Sequence, residues 1–200
     1  KYLVLENVRG LTSMKDNKGF PVLSSILKDI MSLGYLVSYK VLCASDYGVA
    51  QNRERLIIFA QKSNFFNIPE VEKKTTVNEA LQNIPESCNA HLISNHRPEY
   101  IERLASVKQG ESFGKFRSCI RLNPDKPSCT ITSGELIHPT LNRYITPREG
   151  ARLQGFSDDF IFSGCKESIK VQVGNAVPPP LAKTLANQLI SEIKRGVSDV

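Results

Sequence analysis

The chain has 200 residues, of which 40% are hydrophobic and 23% are charged, and 26 Lys and Arg against 20 Asp and Glu give a formal net charge of +6. These proportions are those of a globular protein and exclude a disordered or collagen-like chain. No apolar run reaches the roughly 18 residues that a membrane helix needs, and no signal peptide opens the sequence, so we expect a soluble, cytoplasmic protein. The five cysteines are scattered and never spaced as Cys-x-x-Cys, which favours reduced thiols over disulfides or a zinc site.

Residues 1–62 predict part of an α/β domain. The short apolar run at 2–5 is typical of a central strand in a parallel sheet, and helical spacing of apolar residues at 21–34 predicts an amphipathic helix. Residues 35–43 and 56–60 predict two further strands joined as a hairpin. Because the sequence opens inside a strand-like run, we expect it to be the C-terminal part of a larger protein or one chain of a pair.

Hydrophobic periodicity weakens from about Gln61 to Arg143. Two short helices are still predicted, one by the capping box of Thr76 and Glu79 and one that begins at Pro98. Residues 91–155 carry ten Lys and Arg against six Asp and Glu, so +4 of the net charge of +6 lies there. This excess favours a face for a polyanion such as DNA, and the alternative is an ordinary solvated surface.

Residues 146–200 predict two more helices. Thr146 and Glu149 form a second capping box, and Gly155 is suited to end that short helix. A final helix follows the Gly174–Pro180 segment, with an apolar stripe at helical spacing from Leu181 to Ile193. We expect this stripe to pack back on the sheet.

Three polar clusters lie at the ends of predicted elements, and they contain Glu6-Asn7-Val8, the segment from Gln51 to Arg55, and Gly174-Asn175-Ala176-Val177. Each cluster alone is weak evidence for a functional site. A carboxylate at a strand end is more often a surface group than a catalytic one, and alternating arginines more often form ion pairs than bind a ligand. In this order they resemble the ENV, Q-x-R-x-R and G-N-A-V motifs of bacterial-type DNA (cytosine-5)-methyltransferases. The segment from Arg121 to Phe156 is similar to the one that precedes and carries the family's ninth motif.

The resemblance implies the C-terminal part of a Rossmann-like S-adenosylmethionine methyltransferase sheet within the α/β class, plus a small target-recognition domain. Residues 1–62 would belong to the catalytic domain and 63–145 to the DNA-recognition region. Residues 146–200 would hold the ninth and tenth motifs and the helix that returns to the catalytic domain. The family's first half, with its cofactor loop and its Pro-Cys-Gln nucleophile, has no counterpart in the sequence. The chain alone is therefore expected to be inactive, and either to need that N-terminal half as a partner or to self-associate through its open strand edge.

The resemblance also implies the roles of individual residues in a reaction that uses S-adenosylmethionine and a cytosine flipped out of double-stranded DNA, as in restriction-modification systems. Glu6 would meet N3 and the exocyclic amine of the base, Arg55 would donate to the base O2 or the nearby backbone, and Arg53 would support Glu6 or the nucleophile loop. The residues expected to bind the cofactor are Asn175, Ala176 and Val177. Those expected to contact DNA are Gln51, which would also order its loop, Thr132, Ser133, Arg143 and Arg148.

Two other functions fit the same residues. The first is a non-catalytic DNA-binding or regulatory subunit on this scaffold, against which the retention of Glu6, Arg53 and Arg55 argues. The second is an RNA-directed relative, although the segment from Gln51 to Arg55 looks closer to the DNA enzymes. No metal is expected, because the spacing of His91, His96 and His138 fits no single helical or strand face.

Overall fold

The computed structural model describes residues 2–63, 65–112, 119–132 and 134–198, and within these ranges it contains three β-strands and six α-helices. The strands are β1 (Tyr2–Val8), β2 (Leu36–Cys43) and β3 (Glu54–Gln61). The helices are α1 (Val22–Ser32), α2 (Val77–Leu81), α3 (Pro98–Ala105), α4 (Pro147–Leu153), α5 (Lys166–Asn175) and α6 (Pro179–Ser198). Among these helices, none is both long and apolar enough to cross a membrane.

The chain divides into two compact units. The first contains Lys1–Cys43, Glu54–Val71 and Lys183–Val200, and the second contains Ala44–Arg53 and Glu72–Ala182. The predicted divisions after residues 62 and 145 therefore differ from the structure. The turn before β3 joins the second unit because backbone hydrogen bonds tie it there, as from Asn52 N to Ser128 O (2.8 Å).

The sheet of the first unit has the order β1-β3-β2, and β3 runs antiparallel to both neighbours. Leu56 to Ala60 are at most 2% exposed, as expected of a middle strand that is covered on both faces. The prediction of β1 as a central strand with parallel neighbours was wrong for the described sheet, where β1 lies at the edge. The α/β class itself is confirmed, since β1, α1 and β2 form a strand-helix-strand unit whose two strands run in the same direction.

One apolar core joins α1 to this sheet. The N-cap of α1 is Pro21, and Gly34 follows the C-cap with a φ of +80°, a conformation that costs glycine little. Both helix boundaries match the prediction, because proline and glycine act locally. The buried residues of the core are Leu11, Leu23, Ile30, Val37, Leu56, Ile58 and Ala60.

The second unit has its own core, which α2, α4 and α5 share with the loops between them. Both predicted capping boxes are present, at Thr76 with Glu79 and at Thr146 with Glu149. Helix α5 was not predicted, since only Ile169 and Val173 in it are buried and the apolar pattern is correspondingly thin. The buried residues of this core are Ala50, Val77, Ala90, Leu122, Ile131, Leu136, Ile145, Ala151, Leu153, Phe162, Ile169 and Val173.

The predicted apolar stripe of α6 is buried near the start of the helix and exposed toward its end. Leu181 and Leu185 are buried, whereas Ile190 is 49% exposed and Ile193 is 39% exposed. Glu192 of the same helix is buried, and its Oε1 accepts hydrogen bonds from Gln188 Nε2 (3.1 Å) and Arg195 Nη1 (3.3 Å). These two donors make burial of the carboxylate tolerable.

Candidate active site

Glu6 and Arg55 form an ion pair in the first unit. Glu6 lies opposite Ile57 and Arg55 lies opposite Val8, so the two side chains share one face of the sheet as diagonal neighbours. Arg55 Nε is 2.8 Å from Glu6 Oε1, and the side chains are 12% and 33% exposed respectively. The arginine is thus mostly buried beneath a carboxylate that remains accessible from solvent.

Arg55 is held in place by its own backbone as well, since its Nη1 donates to Glu54 O (2.8 Å). It occupies the supporting position beside Glu6 that the sequence assigned to Arg53. A second ion pair on the same sheet, between Arg9 and Glu54 (2.6 Å), was not predicted. Its two side chains are 64% and 46% exposed, so it is an ordinary surface pair of small energetic value.

Arg53 lies one residue before β3, and its guanidinium is buried within the second unit. Its Nη1 donates to Ile131 O (3.1 Å) and its Nη2 to Gly174 O (2.6 Å). The alternation of Arg53 and Arg55 in the sequence does not place them on one strand face, because only Arg55 belongs to β3. Arg53 instead fastens the loop at Ile131 to the last turn of α5.

Gln51 is also fully buried in the second unit. Its Oε1 accepts from Ile131 N (3.0 Å), and its Nε2 donates to Gln154 Oε1 (2.6 Å). A direct contact with DNA is therefore closed to Gln51, contrary to that part of the prediction, although the side chain does order its loop. Gln154 was not predicted as a functional residue, and its only signal was its place in the resembling segment.

The segment expected to bind the cofactor connects α5 to α6. Asn175, the last residue of α5, is exposed, and Ala176 and Val177 are half-exposed. An accessible amide beside two small apolar side chains suits a ligand with polar and apolar parts, so these residues fit S-adenosylmethionine. The backbone offers few hydrogen-bond donors at the start of α6, because residues 178–180 are prolines and lack N–H groups.

Two arginines predicted to contact DNA are structural. Arg148 is fully buried, and it donates to Asn89 O (2.7 Å), Ser157 O (3.0 Å) and Phe160 O (2.7 Å). Arg143 binds Glu149 with both terminal nitrogens, at 2.8 and 2.7 Å. The five donors of a guanidinium serve buried oxygens as well as phosphates, which is why the residue type alone misled the prediction.

Thr132 and Ser133 were the other predicted DNA contacts. Thr132 is exposed, and its hydroxyl accepts from Gly134 N (3.2 Å), whereas Ser133 lies outside the described residues. Thr132 also lines a small, open pocket whose lining includes Lys170 and Glu135, which form an ion pair.

The positive charge of residues 91–155 is only partly at the surface. Arg121 is buried and donates to carbonyls that include Val107 O (2.7 Å) and Leu104 O (2.6 Å). Half-buried Arg152 pairs with Asp158 (2.5 Å). Lys115 and Arg117 lie outside the described residues, and the exposed basic residues in the rest of this stretch are Arg97, Arg103, Lys108 and Lys126.

Glu149 and His138 form a buried electrostatic cluster at the start of α4. Burial opposes ionisation of Glu149, but hydrogen bonds from Arg143 and from Thr146 N (2.6 Å) outweigh it, and the pKa of Glu149 is lowered. His138 Nε2 lies 3.7 Å from Glu149 Oε1. Burial nevertheless lowers the pKa of His138 to about 4, so the imidazole is neutral near pH 7.

The chain contains five cysteines. All five are free thiols, and none follows a proline. Burial raises the pKa of the Cys129 thiol, which disfavours the reactive thiolate. Within the ranges that the structure describes, no group of three or more His, Cys, Asp or Glu side chains could hold a metal ion.

The chain is similar in sequence to several type II methyltransferases. The chain is 36% identical over 214 residues to the type II methyltransferase M1.HphI of Haemophilus parahaemolyticus, covering 95% of this chain and 56% of that protein. It is 33% identical over 219 residues to the type II methyltransferase M.BbvI of Brevibacillus brevis, covering 96% and 59%. The chain thus spans less than two thirds of the length of these relatives.

Solved structures share the fold. A prophage-encoded E. coli protein assigned as a DNA modification methyltransferase superposes with a TM-score of 0.80 and 25% identity, covering 96% of this chain and 70% of that one. The Dnmt2 methyltransferase of S. pombe superposes with a TM-score of 0.62 at 17% identity, covering 96% and 67%, which shows the fold alone. Residues 1–191 match the family model described as C-5 cytosine-specific DNA methylase. The chain therefore belongs to the C-5 cytosine-specific DNA methylase family.

Proposed function

We propose that this chain is part of a DNA (cytosine-5)-methyltransferase that acts on a cytosine flipped out of double-stranded DNA, as the modification enzyme of a restriction-modification system. The observation that carries the proposal is the pairing of Glu6 with Arg55 on one sheet face of a chain in this family. A carboxyl group that is protonated, or that shares a proton with the base, can donate to the ring nitrogen N3 and accept from the exocyclic amine. Glu6 is held by the Arg55 guanidinium and remains 33% exposed, so it is accessible for this role.

The chemistry explains why such a pair is needed. Cytosine C5 is a poor nucleophile until a cysteine thiolate adds to C6, which becomes easier when a hydrogen-bonding acid draws charge from N3. C5 would then take the methyl group as the bond between that methyl group and the donor sulfur breaks. A base would remove the C5 proton, and the thiolate would leave C6. In this scheme Glu6 holds the N3 edge of the base, and Arg55 holds Glu6 and the O2 side of the nucleotide.

Asn175, Ala176 and Val177 would hold part of the cofactor. When bound, S-adenosylmethionine supplies the electrophilic methyl group. The exposed amide of Asn175 has both donors and an acceptor for the polar part of the ligand. Ala176 and Val177 offer apolar contact, and their positions depend on the end of α5.

The nucleophile is proposed to lie in a segment that corresponds to the N-terminal half of family members. That segment would belong either to a longer form of this polypeptide or to a separate subunit. Two facts support this: no cysteine here follows a proline, and the chain spans about three fifths of its relatives. The edge strand β1 leaves Val4, Leu5 and Val8 between 38% and 50% exposed, so without that half the chain would self-associate.

DNA contact is assigned to Thr132, Ser133 and the exposed basic residues of the second unit, together with Arg55. These contacts would make duplex binding strongly salt-dependent, with a slope of about −0.9 in the log-log plot for each phosphate neutralised. An affinity that did not vary with salt, or no binding at low salt, would contradict a DNA face.

Incubation with radiolabelled S-adenosylmethionine and mixed-sequence DNA tests the function. Label is expected in DNA cytosine when the chain is combined with its N-terminal half, and not with the chain alone. Light scattering of the two samples tests self-association in parallel. Label transfer by the chain alone would contradict the assignment of the nucleophile. Binding of DNA without transfer by the combined halves would favour a non-catalytic subunit.

A further inference from the structure

We infer that Gln154 is a positioning residue for the segment that binds the cofactor, and that it acts through a buried relay of side-chain amides. The inference rests on the proposed function, because it assigns residues 175–177 to S-adenosylmethionine. Gln154 is fully buried, and its Nε2 donates to Val173 O (2.5 Å) and to Ala176 O (3.0 Å). One side chain thus holds the last turn of α5 and the residue that follows it.

The direction of every hydrogen bond in the relay is fixed. Ile131 N can only donate, so the oxygen of Gln51 must face it, and the nitrogen of Gln51 must face Gln154. The oxygen of Gln154 is then committed to Gln51, and its nitrogen is aimed at the two carbonyls. Because each amide is oriented by the preceding one, the position of Ile131 determines where the carbonyls of Val173 and Ala176 are held.

Two further contacts hold the same segment. Arg53 Nη2 donates to Gly174 O (2.6 Å), the carbonyl between the two that Gln154 binds. Gly155 lies so near the start of α6 that a Cβ on it would be 2.5 Å from Pro180 Cδ. The segment 173–180 is therefore held by Gln154 and Gly155, which follow α4, and by Arg53. Asn175 in the same segment remains exposed.

These contacts explain why an exposed connection between two helices can present a fixed ligand-binding surface. A flexible connection would lose conformational entropy when a ligand orders it, and a connection already held does not. Replacing Gln154 with methionine keeps its length but removes the donor. The carbonyls of Val173 and Ala176 and the amide of Gln51 would then lose their partner.

The test compares Gln154→Met with wild type in the full-length protein that contains this chain. The affinity for S-adenosylmethionine, measured by titration calorimetry, is expected to fall about tenfold, or about 1.4 kcal/mol. The affinity for duplex DNA at fixed salt should stay within about twofold of that of the wild type. Hydrogen exchange should increase in residues 173–178 and not in β1 to β3. The matched control is Gln172→Met, an exposed glutamine of α5 that bonds Ser163 O (2.8 Å), and it should bind the cofactor as wild type does.

If Gln154→Met does not fold, Gln51→Met keeps both bonds from Gln154 to the carbonyls and removes only the group that orients it. A selective loss of cofactor affinity in Gln51→Met supports the relay. Wild-type cofactor affinity in either folded variant overturns it, and so does an equal loss of DNA and cofactor binding, which would indicate general destabilisation. Failure of the wild-type protein itself to bind S-adenosylmethionine would overturn the proposed function together with the relay.

Discussion

Protonation of His138 should destabilise the folded protein in mildly acid solution. Its Nδ1 accepts from Thr140 N (3.2 Å) and Leu141 N (3.1 Å), and both bonds require the nitrogen to be unprotonated. The imidazole is also mostly buried, at 12% exposed, beside the charged side chains of Arg143 and Arg121. Burial first, and then these two positive charges, lower its pKa to about 4 from an ordinary 6.5, against the opposing effect of Glu149.

The size of the effect follows from this difference. Between pH 6.5 and 4 the unfolded chain binds a proton at this histidine and the folded chain does not, so the free energy of unfolding falls as the pH falls. The difference between a pKa of 6.5 in the unfolded chain and one of about 4 in the folded chain corresponds to a contribution of at most about 3 kcal/mol to the free energy of unfolding. This contribution is fully lost only when the pH falls below the folded pKa. Glu149 contributes outside this window, because its pKa is lowered from 4.5 and its stabilisation is lost only in more acid solution.

His138→Asn isolates this contribution. Asparagine offers an acceptor oxygen near the position of Nδ1 and does not titrate. Urea unfolding of both proteins from about pH 7.5 to about pH 4.5 should show wild type losing about 2 kcal/mol more than the variant. Parallel stability curves for the two proteins would refute the assignment of a neutral, buried His138.

Three further predictions concern packing and burial. Gly155→Ala should destabilise the protein by about 2 to 5 kcal/mol in thermal unfolding, because φ is +88° and the new Cβ would overlap Pro180; a loss under about 1 kcal/mol would contradict this. Iodoacetamide should modify exposed Cys165 before half-buried Cys129 in the folded protein, and mass spectrometry showing the reverse order would contradict the raised pKa of the Cys129 thiol. Arg148→Met should cost about 3 kcal/mol or more in stability yet leave the salt dependence of DNA binding unchanged in any folded fraction, whereas a flatter salt slope in fluorescence anisotropy would restore Arg148 as a DNA contact.

The parts of the fold that depend on neighbouring residues could be predicted from the sequence. Both capping boxes and the glycine after α1 mark helix ends through contacts within one turn, and the structure has them at the predicted positions. The place of β1 in the sheet could not be predicted in this way, because strand order depends on pairing with β3 about fifty residues later. Helix α5 carries too few buried residues to show a pattern.

The sequence was sufficient to identify several residues of the candidate site, but not how those residues are arranged in space. Glu6 and Arg55 were both identified, but their pairing depends on a register that only the folded sheet defines. Arg53 and Arg148 were expected to face the reaction or the DNA, and both bind buried backbone carbonyls. A sequence cannot distinguish these uses, because a carbonyl oxygen and a phosphate oxygen accept the same hydrogen bonds from arginine.

The most direct test of the account is the turnover of Glu6→Gln against that of Glu54→Gln, in the enzyme with its N-terminal half. Both glutamates lie on the same sheet and pair with an arginine, but Glu54 pairs only at the exposed surface. We predict that Glu6→Gln lowers the rate of methyl transfer by a factor of about 10² or more with DNA affinity retained, since a general acid typically contributes that much. Glu54→Gln should retain the wild-type rate. Near-normal turnover in Glu6→Gln, with weakened DNA binding, would contradict a role for Glu6 in the reaction.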